Sequence, residues 1–202
     1  MIGSIIKHGI SRNLIIVSDD AGQFNILLHA LCWIHAERSI NKLTPVSDKG
    51  KEDLEEVRRQ LWQFYKELKA YKANPQLSEA LRLDAAFDDI FKAKTSSASL
   101  NNALKRIYNN KSELLLVLNH PEIPLHNNLS ENGIREYVKK RKISGGTRSE
   151  AGRRSRDTFA TLKKTCRKLK ITFWQYLKDR LDKTNLIPRL AELIRNRSVQ
   201  LA

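Results

Sequence analysis

Cysteine is scarce in this sequence: two in 202 residues, Cys32 and Cys166, neither in a CxxC. That argues against a disulfide scaffold and makes a reducing compartment the expectation. Cys32 and His35 form a CxxH, but no second ligand pair stands at matching spacing. A structural zinc site would lack half its donors, so a buried thiol beside a structural histidine is the better reading. Long apolar runs are also missing. None approaches the roughly 20 residues that a membrane helix needs, so no membrane partner is expected. The opening residues, MIGSIIKHGISRN, have neither a long apolar core nor a small-residue cleavage site, so no secretory signal is read there. The third shortage is negative charge. Against 37 Lys+Arg stand 22 Asp+Glu, for a net charge of +15, and residues 1–18 contain no acid at all. A balance this basic points to a polyanion as partner. The 41% hydrophobic and 29% charged content fits a soluble globular chain, long enough for one domain with a real core or a core plus a subdomain.

What is present starts with Leu14-Ile15-Ile16-Val17, the apolar pattern of a strand buried on both faces in an α/β sheet. It ends in Ser18-Asp19-Asp20. Ligand sites in open α/β sheets gather at the carboxyl ends of strands, so Asp19 is a functional candidate on position alone. Phe24, Leu27, Leu28 and Leu31 recur at helical spacing, which predicts an amphipathic helix over 22–31 packing on the sheet. Cys32-Trp33-Ile34 reads as a short second strand, with a helix opening at His35–Arg38. From 47 to 118 the pattern is helical throughout: a stripe from Leu54 through Leu68, a break at Pro75, then stripes through Leu77–Phe91 and Leu100–Ile107. This predicts an all-helical insertion. Glu113–Leu118 continues as helix and ends before Pro121. Basic amphipathic helices follow the loop 147–152, through Phe159–Leu169, Phe173–Leu181 and Leu190–Ile194. Trp33, Trp62 and Trp174 fit core stripes better than base-stacking platforms, and His29 reads as the edge of an apolar helix face.

Two carboxylates carry the chemistry. Brought together, Asp19 and Glu131 could hold Mg²⁺ or Mn²⁺, which take oxygen ligands and promote phosphoryl transfer by activating the attacking oxygen and stabilising the leaving one. Each also has a plainer reading. Asp19 could cap a helix at a strand-to-helix turn. Asn128-x-x-Glu131 has the spacing of a capping box. What favours the metal reading for Glu131 is its company: Arg135 one turn on, then Lys139 and Lys142 on the same face. His126 could touch phosphate, or serve only its turn. Between Lys139 and Lys170 lie thirteen Lys/Arg against Glu150 and Asp157. Lys139, Lys140, Arg141, Lys142, Arg148, Arg153, Arg154, Arg156, Lys163 and Lys164, together with Arg135, are the candidate DNA contacts. Side chains of this kind and free backbone N–H groups in the loop SGGTRSEAGRRSR suit phosphates. They would position a duplex without reading its sequence.

The run SDDAGQFNILLHALCWIHAER, followed a hundred residues later by HPEIPLHNNLSENGIR and a basic, glycine-containing segment, resembles the insertion sequence sixty-six family of DDE transposases over nearly the whole chain. The resemblance implies an α/β, mainly helical fold. Residues 1–46 would form part of a ribonuclease-H-like core, 47–118 a helical insertion, 119–145 the core helix with the catalytic glutamate, and 146–202 a basic helical region. It implies a cytoplasmic, nucleoid-associated enzyme that binds two divalent ions, usually Mg²⁺, cuts DNA at transposon ends and joins the freed 3′-hydroxyl to target DNA, generally as a multimer. Asp19 matches the family's second catalytic aspartate, with Asp20 as its fallback, and Glu131 matches the catalytic glutamate. The chain departs at Asp20-Ala21, where the family often has Gly and Tyr, and at Asn132, where it tends to have Arg. The family's first aspartate lies on an earlier strand, and residues 1–18 hold no acid. The resemblance is therefore to the C-terminal portion of a transposase, inactive alone and completed by an upstream portion. The alternatives are a basic DNA-binding protein without chemistry and an RNA-binding helical module.

Overall fold

Ile15, Ile16 and Val17 carry branched β-carbons, which stiffen the side chain and favour pleated backbone. They form strand β1 (Ile15–Ser18). The computed structural model describes residues 14–20 and 27–199. β1 pairs in parallel with β2 (Leu28–Leu31), Ile15 opposite Leu28 and Ser18 opposite Leu31. The Cys32 N–H extends the ladder by donating to the Ser18 carbonyl at 2.9 Å. The sheet holds two strands among the described residues, so Ile15, Ile16 and Val17 are half-buried rather than covered on both faces.

β2 corrects the sequence reading twice. Leu28–Leu31 is strand, not the end of a helix over 22–31, and residues 22–26 of that helix lie outside the described residues. Cys32-Trp33-Ile34 is not a strand: helix α1 (Trp33–Asn41) starts at Trp33. The leucine spacing that looked helical is overridden by pairing with β1, which buries His29, Ala30 and Leu31. Leu27, at φ 59°, sits in the left-handed region, where an L-residue cannot carry a right-handed helix forward. His29 is thus a strand residue, and its Nε2 lies 2.8 Å from the Ser18 hydroxyl.

Beyond α1 the chain is helical to residue 118 among the described residues. α2 (Asp48–Ala73) is capped by the Ser47 hydroxyl, which accepts from the Gly50 N–H at 3.1 Å. α3 (Leu77–Phe91) and α4 (Ala98–Asn109) follow, then the short α5 (Lys111–Leu114) and a 3₁₀ turn, Leu116–Leu118. α3 turns differently from the expected stripe: Leu77 and Leu81 are exposed, and Leu83 joins Phe87 and Phe91 inside. Trp33 lies at the centre of this core. Its ring centroid is 5.4 Å from that of Phe64 and 6.1 Å from that of Phe87, and its indole N–H donates to the Leu114 carbonyl at 3.1 Å. The buried indole therefore fills the core and leaves no donor unmet. Glu37 is also buried, and Arg58 holds it with two bonds of 2.9 and 2.8 Å.

The chain divides into two compact units, Met1–Asn128 and Leu129–Ala202. The second contains most of α6 (Asn128–Ser144), then α7 (Glu150–Lys168), α8 (Phe173–Leu181) and α9 (Leu190–Val199). Its small core gathers Leu169, Tyr176 and Leu190 around Cys166. Burial pushes the Cys166 thiol above its ordinary value, so it stays protonated and inert. Trp174 does not belong to that core: it is 72% exposed. Helix α8 turns Tyr176 inward, which leaves Trp174, two residues earlier, on the outer side.

Candidate functional site

Asp19 follows the last residue of β1, at the strand's carboxyl end. It opens into a cleft of about 350 Å³ in the first unit, with Asp20, Cys32 and His35 on one side and Asn102 and Arg106 of α4 on another. Arg38 is near: its guanidinium lies 3.3 Å from His35 Nε2. The helix that Asp19 would cap falls outside the described residues. Cys32 is 1% exposed and forms the entry to α1, where its carbonyl accepts from the Ala36 N–H at 3.1 Å. Arg106 was not singled out from the sequence. It lies in a helix whose only legible signal is its apolar stripe, and the cleft position arises when α4 packs beside α1.

The proline-rich lead into α6 is tied down firmly. Ile123 and Leu125 are buried. The Trp33 N–H donates to the Leu125 carbonyl at 3.0 Å, and the Lys72 ammonium donates to the carbonyls of Pro121 and Ile123. Burial pushes Lys72 below its ordinary value, while nearby Glu122 acts in the opposite sense. Tyr71 donates to the Leu118 carbonyl at 2.7 Å. A buried loop needs partners for its carbonyls, and α1 and α2 provide them.

Helix α6 begins at Asn128 itself. Helix starts are defined to within a residue, so Asn128-x-x-Glu131 keeps the spacing of a capping box. Glu131 lies in the first turn, where a carboxylate meets the positive end of the helix dipole. Glu131, Arg135, Lys139 and Lys142 share one face of α6 and line a shallow groove with Ile134 and Val138. No residue of α6 is buried. Asp19 belongs to the first unit and Glu131 to the second. Among the described residues, no group of three or more His, Cys, Asp or Glu side chains is gathered as a metal site would be.

The remaining candidate DNA contacts fall on α6, on the loop after it and on α7. Arg141, Arg148, Arg153 and Arg154 are exposed, the last two paired with Glu150 at 2.8 and 3.1 Å. Gly145 and Gly146 carry φ of +68° and +147°, which L side chains rarely adopt, so the chain turns between the two helices where glycine stands. Glu136 braces α6 against α7. It accepts from Lys163 at 2.9 Å and Lys164 at 3.0 Å, with Lys140 at 3.9 Å. Hydrogen bonds from the two α7 lysines hold its carboxyl down to about 2. A depressed carboxyl stabilises the fold fully above its ordinary value of 4.5 and loses that contribution as the pH falls towards 2. Glu136→Gln should therefore lower the melting temperature at pH 7, and the gap to wild type should narrow through that acid window. A gap that stays constant with pH would mean that the ion pairs contribute nothing.

The model of the IS66 transposase family matches residues 8–155, which include β1, the cleft, the helical stretch and the glutamate helix. The chain belongs to the IS66 transposase family. It is 49% identical over 179 residues to the uncharacterized protein y4jO of Sinorhizobium fredii, an alignment that covers 89% of this chain and 56% of that protein. The chain thus spans about half the length of the curated relative it matches. No solved structure matches it. IS66 membership gives the chain a transposase-related role. No helix among the described residues is long and apolar enough to cross a membrane.

Proposed function

We propose that this chain is the C-terminal part of a DDE-type transposase, with two of the three carboxylates of a metal-dependent site for DNA strand cleavage and strand transfer. The observation that carries the reading is the position of Asp19: the carboxyl end of a parallel strand, at the mouth of a cleft, in an IS66 family chain. β1 and β2 would belong to a ribonuclease-H-like core, and 47–118 would be its helical insertion. The donor chemistry fits hard divalent ions at the carboxylates and not at the neighbouring thiol and imidazole. Asp19 and Glu131 would hold Mg²⁺ or Mn²⁺, two ions in the complete site. Such ions, when bound, neutralise phosphate charge and activate the attacking oxygen.

The chain's own side chains do the rest. Arg106 stands in the Asp19 cleft, where a guanidinium can take a phosphate oxygen. Arg135, Lys139 and Lys142 continue from Glu131 along one face of α6 and would hold the duplex by its phosphates. The third acid would come from a stretch of polypeptide outside residues 1–18, which offer no carboxylate. The chain's partners would be transposon-end and target DNA, the upstream transposase portion and further copies in a multimer.

Mixing tests this. Combined with the upstream half of a full-length family member, the chain should nick end-sequence DNA in Mg²⁺, and Asp19→Asn should remove the activity. If mixing gives nothing while a fused chain cuts, supply in trans is wrong. If Asp19→Asn still cuts, the assignment to Asp19 is wrong and Asp20 is the acid to change next; if neither the mixture nor a fused chain cuts, the chain is left as a DNA-binding protein without chemistry.

A further inference from the structure

The second unit contains a pocket that the proposed metal site does not use. It measures about 270 Å³ and lies between α6 and α7, with Phe173 of α8 at its edge. That is near the lower end of the roughly 300–1,000 Å³ of small-molecule sites, so it is sized for one flat group. Its walls are aromatic and cationic together: Tyr137 and Phe159 with Lys140, Arg156 and Lys163. The one carboxylate there, Glu136, is matched by Lys163 and Lys164, so the excess is positive.

Two details distinguish the pocket from a solvated basic face. Arg156 lies over the Tyr137 ring, 5.5 Å from its centroid, and its Nε and Nη1 are buried with no hydrogen-bond partner among the described residues. A guanidinium beside an aromatic ring with donors the protein leaves unmet can take a phosphate oxygen when a ligand enters the pocket. Phe159 is 50% exposed and stands edge-on to Phe173 at 6.5 Å, and Phe173 in turn is 6.0 Å from the exposed Trp174. Exposed aromatics beside Arg156 form a stacking platform for unpaired bases, since stacking needs a free base face that a closed duplex does not offer.

We propose that the α6–α7 pocket binds unpaired DNA, with one base stacked on Phe159 and its phosphate held by Arg156. This rests on the reading of the second unit as DNA-binding and adds that the DNA there is single-stranded.

Fluorescence anisotropy on the full chain tests it, with a labelled oligo(dT), a duplex of equal length and an oligo(rU). Base stacking is worth about 5- to 150-fold in affinity per base. Phe159→Ala should weaken oligo(dT) binding by a factor in that range and leave duplex binding within about twofold, and Phe159→Trp should restore it. Arg156→Gln should weaken the single strand more than the duplex. The half-exposed position of Phe159 makes Ala tolerable, and an unchanged circular dichroism spectrum checks the fold. If duplex binds in wild type but Phe159→Ala leaves oligo(dT) unchanged, the pocket assignment is overturned and the DNA-binding reading stands. If neither DNA binds, that reading itself fails. If oligo(rU) binds more tightly than oligo(dT), the ligand is RNA and the proposal is overturned.

Discussion

Glu131→Gln is expected to abolish Mg²⁺-dependent nicking in a chain fused to the upstream half of a full-length family member. A metal ligand contributes several kcal/mol of transition-state stabilisation, and each 1.36 kcal/mol is tenfold in rate, so the loss should be on the order of 10³-fold or more. The same change should hardly affect folding. Glu131 stands in the first turn of α6, where removing its charge costs about 0.3–1 kcal/mol of dipole interaction. No residue of α6 is buried, so the substitution opens no cavity. The variant therefore separates the two roles considered for this residue. A structural glutamate would show a small stability change and ordinary activity, whereas a ligand would show the small stability change with activity gone. Nicking within tenfold of wild type would remove Glu131 from the site.

Duplex binding by the chain should fall steeply with salt. Thirteen Lys/Arg lie between Lys139 and Lys170, and Glu136 and Glu150 engage five of them: Lys140, Lys163, Lys164, Arg153 and Arg154. That leaves eight for phosphates. A protein making six to ten phosphate contacts loses about 10³–10⁵ in affinity between 50 and 200 mM salt, because each contact releases condensed counterions. A plot of log affinity against log salt should accordingly have a slope of roughly −5 to −9. Lys139→Gln and Lys142→Gln should each make it shallower by about one, with little dependence on sequence. A slope shallower than about −2 would mean that the basic run is a solvated face. Lys163→Gln should act differently, since Lys163 supports Glu136 and so the α6–α7 contact itself.

The legible parts of the fold are those set by local chemistry. The branched run Ile15–Val17 became a strand, and the apolar stripes of 47–118 became helices. Ser47 and Ser97 cap α2 and α4 through their hydroxyls. The misread stretch is 28–34. Leu27, Leu28 and Leu31 have helical spacing, yet the partner strand decides for sheet, and pairing across the chain cannot be seen in a window of four residues. Trp174 was misplaced for a related reason. An aromatic at helical spacing reads as core, but which side of α8 faces inward depends on where Tyr176 and Leu190 meet Cys166.

The sequence by itself determined the charge, the basic run and its place after a glutamate helix, the candidate acids at positions 19 and 131, and the family. All of these are properties of residue order and composition, and folding does not change them. Only the tertiary structure decided that Leu28–Leu31 is a parallel strand, that Arg106 joins Asp19 in a cleft, that Lys72 holds the proline loop, and that Arg156 and Phe159 border one pocket. Each of these depends on residues tens of positions apart being packed together, where burial and hydrogen-bond satisfaction outweigh local preference.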